Sequence, residues 1–158
     1  MTGGVPPVRP EPLRELIARV ADAEHALVAL GIPRCPACML LPASLTAVAG
    51  ARPGLPVGIA LFERPEDWEL REELLWPRGI RVSRSSVPVL ALMRSGEAVA
   101  TRMGGAPAHM IDRWLDPHLG PAAHPVPEAP TEAEAGALEA MSRRRAQQTI
   151  VKGRDPLG

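Results

Sequence analysis

Cys35 and Cys38 are the only cysteines in the chain, separated by Pro36 and Ala37. Two intervening residues let the thiols close a small ring. A helix that starts at or near Cys35 would put both sulfurs at its N-terminal end. There the unpaired backbone N–H groups and the helix dipole favour an anion. A thiolate is such an anion, so the more exposed thiol is expected to be the more acidic and the more reactive. The spacing gives that role to Cys35, with Cys38 one turn in as the resolving thiol. Three readings of the pair compete: a redox dithiol, half of a zinc or iron–sulfur site, and two cysteines without a role. A structural zinc site needs about four ligands, usually as two paired groups. There is no second cysteine pair, and His25, His109, His118 and His124 are scattered. A metal would need a dimer or distant histidines, so no metal ligand is assigned. A lone C-x-x-C near a βαβ pattern favours the dithiol.

The elements that must present the pair follow from periodicity. Leu13, Leu16, Ile17 and Val20 fall at i, i+3, i+4 and i+7, an apolar helical stripe behind Pro12. His25 to Leu30 could continue that helix or form a buried strand, and Gly31-Ile32-Pro33 ends it either way. A strand is the choice here, because a strand of a central sheet would deliver the chain to the cysteines. The next helix is expected over about 36–49, with Met39, Leu40, Leu45 and Val48 on its apolar face and a kink at Pro42. Val57 to Phe62 is a short apolar run suited to a buried strand. Arg64-Pro65-Glu66-Asp67 opens a helix running to about Leu75, with Trp68 and Trp76 as packing residues. Val89 to Met93 and Ala98 to Met103 flank Arg94-Ser95-Gly96-Glu97 and read as a β-hairpin. A last helix over about 107–119 presents Met110, Ile111, Trp114 and Leu115 to the core, leaving His109 and His118 outside.

The ends read differently. Residues 1–11 are rich in proline and glycine and are expected to be extended and flexible. A domain over 12–120 is followed by a proline-rich linker over 121–130. Thr131 and Glu134 fit a capping box before an Ala/Glu-rich helix of about 132–148, within a tail spanning 131–158. That tail is expected to be solvated and partly frayed, or to dock on a partner. With 158 residues the chain has room for one domain and a tail, and its 18 basic and 18 acidic residues balance. That balance argues against an electrostatic nucleic-acid binder. No apolar run is long enough to span a bilayer, and no basic segment followed by an apolar one opens the chain. The expected compartment is the cytoplasm, where a lone C-x-x-C is catalytic more often than structural.

With Cys35-Pro36-Ala37-Cys38 and Ser86-Val87-Pro88 in this element order, the chain resembles the thioredoxin family over about 12–120. The match is best at the cysteine motif and over 79–120, where Val87-Pro88, Ser95-Gly96-Glu97 and Gly104 fall as that family places them. The resemblance implies an α/β fold, a central mixed four-stranded sheet with helices on both faces, and makes 25–30 a strand. It also implies a cis proline at Pro88, opposite the cysteines, with the Val87 backbone pairing with an extended substrate segment. Arg34, Pro36, Ala37, Val87, Pro88 and Gly104 would then line the substrate groove. The implied activity is thiol–disulfide exchange by Cys35 and Cys38 on a protein, peptide or small-molecule disulfide. No bound cofactor is needed, and an external reductase or thiol would recycle the pair. Two positions depart from the family pattern. Ala29 stands where many thioredoxins have a buried aspartate, and Arg34 where many have tryptophan. The rival expectation is a thioredoxin-fold adaptor or chaperone module that docks through its tail.

Overall fold

Side chains alternate across a strand, so a strand buried on both faces feeds two separate cores. That is how β1 (His25–Gly31) works. Ala26, Val28 and Leu30 join one apolar cluster, and Leu27 and Ala29 join the other. The computed structural model describes residues 5–126, 134–140 and 142–143. The expectations for residues 1–4, for 127–133, and for 144–158 with the rest of the basic end lie outside the described residues.

Around β1 the chain builds a four-stranded sheet in the order β2-β1-β3-β4. β2 (Val57–Leu61) runs parallel to β1, with Ala29 opposite Ile59. β3 (Val89–Arg94) runs antiparallel to β1, with Ala29 opposite Leu90, and β4 (Glu97–Met103) runs antiparallel to β3. The sheet is therefore mixed. Its hairpin turns at Ser95 and Gly96, both at positive φ (50° and 86°), which suits a tight connection between twisted strands.

Helices cover both faces. α1 (Leu13–Val20) turns Leu13, Leu16, Ile17 and Val20 inward onto Val28, Leu30 and Ala60. α3 (Pro65–Leu70) adds Trp68 to the same cluster. On the other face α2 (Pro36–Ala51) contributes Leu41, Leu45 and Val48, and α4 (Ala108–Leu119) contributes Ala108, Ile111 and Leu115. α2 runs through Pro42 without ending, and Thr46 Oγ1 donates to the Pro42 carbonyl at 2.6 Å. Beyond Ala51, the Arg52 guanidinium ties α2 to α4. It reaches Asp112 and Asp116 at 2.7 Å each and the Gly120 carbonyl at 2.9 Å.

Several expectations need correction. Met39 and Met110 are more than two-fifths exposed and belong to no core stripe, and Leu41 takes the inward place on α2. Trp76 is also exposed, with the Arg81 guanidinium over its ring at 4.6 Å. The helix after Pro65 widens into a π-helical turn, Arg71–Leu75, and tightens into a 3-10 turn, Trp76–Arg78. Part of the supposed flexible N-terminus is attached to the domain, at Val8 to α2 and at Pro10 and Glu11 to the edge of β2. Pro10 bridges Ile59, the Glu11 N–H donates to the Ile59 carbonyl at 2.9 Å, and the Val8 N–H donates to Thr46 Oγ1 at 2.9 Å. The edge of β2 supplies the acceptor for Glu11, and a hydroxyl of α2 the acceptor for Val8. The linker is likewise attached at its start, through His124 N–H to the Ala51 carbonyl at 3.1 Å.

Residues 134–140 and 142–143 are helical, inside the span the capping box proposed. Glu134 is not solvated as expected. It is 1% exposed and accepts the Ala108 N–H at 3.1 Å. A carboxylate there supplies a partner for a first-turn N–H of α4 that the helix itself leaves open.

Candidate active site at the start of helix α2

β1 carries the chain to Gly31, and a short turn then swings it into α2. Arg34 closes that turn in the left-handed conformation, at φ 64°. Such a conformation is uncommon for a residue with a side chain. Cys35 follows as the residue that caps α2, in extended backbone at φ −87° and ψ 118°. Its Sγ accepts the Cys38 N–H at 3.2 Å, and its carbonyl accepts the Met39 N–H at 3.0 Å. Pro36 at the first helical position gives up no hydrogen bond, because that N–H is unpaired in any helix. The geometry is the one the spacing called for: one sulfur at the helix start, the other one turn in.

The two thiols differ in environment. Both are reduced; Cys35 is partly exposed and Cys38 is buried at 4%. Burial pushes the Cys38 thiol up to about 12, aided by its hydrogen bond with Cys35 and opposed by the Ile32 backbone N–H. Loss of its proton is therefore disfavoured while the pair is reduced.

Contacts link the Pro88 segment to this helix start. The Val87–Pro88 peptide bond is cis. The Pro88 carbonyl accepts the Gly104 N–H at 2.8 Å. Gly104 sits at φ 97° with open space where a Cβ would go, so its backbone conformation is what the position requires. The next residue, Gly105, lies so close to Ala37 that a Cβ there would overlap the Ala37 carbonyl. Thus β3, the end of β4 and the first turn of α2 meet at one place. Pro88 itself is buried. The side chain of Val87 packs against the α1 core cluster. Arg34 is exposed, and Pro36, Ala37, Val87 and Gly104 are partly exposed.

The loop before Val87 is well braced. Ser86 Oγ accepts the Ser83 N–H at 3.1 Å, and Arg71 Nη1 donates to the Val82 carbonyl at 2.9 Å. The Arg71 and Arg84 guanidiniums lie over the Trp68 ring at 5.1 and 4.6 Å, and Phe62 stacks on Trp68 at 4.6 Å.

Two features of the site escaped the sequence reading. Gly31 is the first: a Cβ there would lie 2.8 Å from Cys38 Sγ. Its signal was a glycine closing an apolar strand, taken there only as a breaker. The second is a cavity of about 290 Å³ with Cys38 in its wall, lined also by Pro10, Ile32, Arg34, Pro42 and Ile59. Its lining comes from three separate stretches of the chain, so no local pattern marks it. Ala29 is fully buried among apolar residues. Among the described residues, no three His, Cys, Asp or Glu side chains gather as a possible metal site.

Comparison with solved structures matches this arrangement. Thioredoxin f2 of Chlamydomonas reinhardtii superposes with a TM-score of 0.54 at 18% identity, over 72% of this chain and 98% of that one. A mutant thioredoxin of Halobacterium salinarum gives 0.53 at 18% identity, over 80% and 99%. The chain has the thioredoxin-like fold. The oxidised thioredoxin of Plasmodium falciparum aligns with a TM-score of 0.51 at 16% identity, over 66% of this chain and 90% of that one. No family model and no curated protein matches the sequence. Among the described residues, no helix of this thioredoxin-like chain is long and apolar enough to cross a membrane.

Proposed function

We propose that the chain is a thiol–disulfide oxidoreductase that uses Cys35 as nucleophile and Cys38 as resolving thiol. One observation carries this reading: a partly exposed sulfur caps the start of α2 and accepts the N–H of the buried partner cysteine at 3.2 Å. A backbone N–H donated to a sulfur in this way is charge-assisted when the sulfur is a thiolate. Cys35 thiolate attacks a sulfur of the substrate disulfide. A mixed disulfide forms, and the other substrate sulfur leaves as a thiolate. Cys38 then attacks Cys35 Sγ, the Cys35–Cys38 bond forms, and the second substrate thiolate is released. Two electrons pass from the dithiol to the substrate, and no bound cofactor takes part. An external reductase or a soluble thiol returns the pair to its reduced form, which suits a reducing compartment such as the cytoplasm.

The substrate is a protein or peptide disulfide in an extended segment, with a small-molecule disulfide as the minimal case. Its backbone pairs with Val87 beside Gly104, while Arg34, Pro36 and Ala37 form the rim. The reading is tested with insulin-disulfide reduction. Cys35→Ser abolishes turnover, and Cys38→Ser accumulates a mixed disulfide visible by mass spectrometry. Absence of wild-type turnover with every reductant supplied would sink it.

A further inference from the structure

Cys38 must lose a proton before it can attack Cys35, and its surroundings restrict where that proton can go. On the β1 side Gly31 closes against it, with room for no more than a hydrogen. Cys38 also borders the cavity of about 290 Å³, edged by the exposed Met39. The groups facing Cys38 can be taken element by element. α2 offers Cys35, and the turn before it offers Arg34. β1 offers Gly31, β2 offers Ile59 and Leu61, and the N-terminal segment offers Pro10, none of which titrates. Glu11, next along that segment, is engaged by Arg19 at 3.1 and 2.7 Å. A guanidinium such as that of Arg34 donates hydrogen bonds and accepts none. During resolution, Cys35 is bonded to the substrate. Among the described residues, no side chain in this lining can serve as base.

We propose that this cavity is the proton exit of Cys38, so that a base dissolved in the solvent enters it and limits release of the substrate. The inference rests on the oxidoreductase reading and adds what controls its second step. The base, hydroxide or a small neutral amine, takes the Cys38 proton and becomes its conjugate acid. The Cys38 electron pair forms the bond to Cys35 Sγ, and the Cys35–substrate bond breaks with its pair on the substrate sulfur.

The test uses full-length protein in single turnover with 5,5′-dithiobis(2-nitrobenzoate). Attack by Cys35 releases one coloured thiolate and resolution by Cys38 releases the second, so the steps appear as two phases. The second phase is expected to quicken about tenfold per pH unit between about pH 6 and pH 9, as an untitrated thiol requires. Imidazole at fixed pH is expected to speed it at least about threefold, as general bases do. Met39→Trp, at a position 44% exposed and on the rim, narrows the cavity and suppresses the imidazole effect. Met39→Glu places a carboxylate there and raises the second phase at pH 7 about tenfold, less than the roughly hundredfold or more of a fully positioned general base because it stands on the rim. A second phase that levels off below about pH 8, or that neither imidazole nor Met39→Glu moves, overturns the proposal while leaving the activity intact. Loss of the first phase instead overturns the oxidoreductase reading, and the proposal with it.

Discussion

Replacing Gly31 with alanine probes the contact that sets where the resolving sulfur sits. The added Cβ would stand 2.8 Å from Cys38 Sγ and 3.2 Å from Cys38 Cβ, against ordinary contacts that begin at 3.4 Å. The sulfur must therefore retreat by about 0.6 Å or β1 must move, because repulsion is steep at this range. β1 is hydrogen-bonded on both sides and cannot yield alone. Inserting one methyl into a packed core costs about 1–3 kcal/mol. Removing a glycine from a strand returns about 0.5–1 kcal/mol. The net expectation is a loss of about 1–2 kcal/mol in the reduced protein, which lowers the urea midpoint by roughly 1 M. The displaced sulfur also slows the second phase of the single-turnover assay, while attack by Cys35 keeps its rate. Gly54→Ala is the control. Nothing lies within 4 Å of its Cβ, so stability should stay within about 0.5 kcal/mol of the wild type. A Gly31→Ala protein with unchanged midpoint and unchanged resolution would refute the reasoning.

Three further outcomes follow from the same contacts. The Cys38 thiol lies above its ordinary value, so its contribution to stability is complete below about pH 9 and is lost as pH rises toward about 12; the reduced protein should lose urea resistance across that window, and the oxidised protein, lacking the thiol, should not show this loss. Arg52→Met leaves Asp112, whose side chain is 17% exposed, without its cation and should cost about 3 kcal/mol by urea unfolding, with attack by Cys35 unchanged. Glu134→Ala strips the partner from the buried Ala108 N–H and should cost about 1–3 kcal/mol, read by thermal melting of the full chain.

The cysteine spacing made the start of α2 legible, because capping and helix periodicity are local rules. The two cores were legible for the same reason: apolar residues at periods of two and of 3.6 mark the faces of β1 and α1. Methionine misled that reading. Met39 and Met110 fit apolar stripes by hydropathy, yet both lie on the surface. Tertiary contacts account for the remainder. Nothing near Gly31 in sequence says that Cys38 will lean on it, and nothing near Glu134 says that its carboxylate will reach the start of α4. The mixed sheet needed the family resemblance as well, since periodicity left 25–30 open between helix and strand.

The order of the sheet has a consequence for self-association. Peptide groups along an outer strand invite a foreign strand to add on. At β2 the segment through Pro10 and Glu11 already occupies part of that border, and proline brings no N–H of its own. Among the described residues no strand lies beyond β4, which shows Val99 and Met103 to solvent. Growth of the sheet by lateral addition of another copy is thus open along β4 and hindered along β2, so stacking into long ribbons is blocked at the second step.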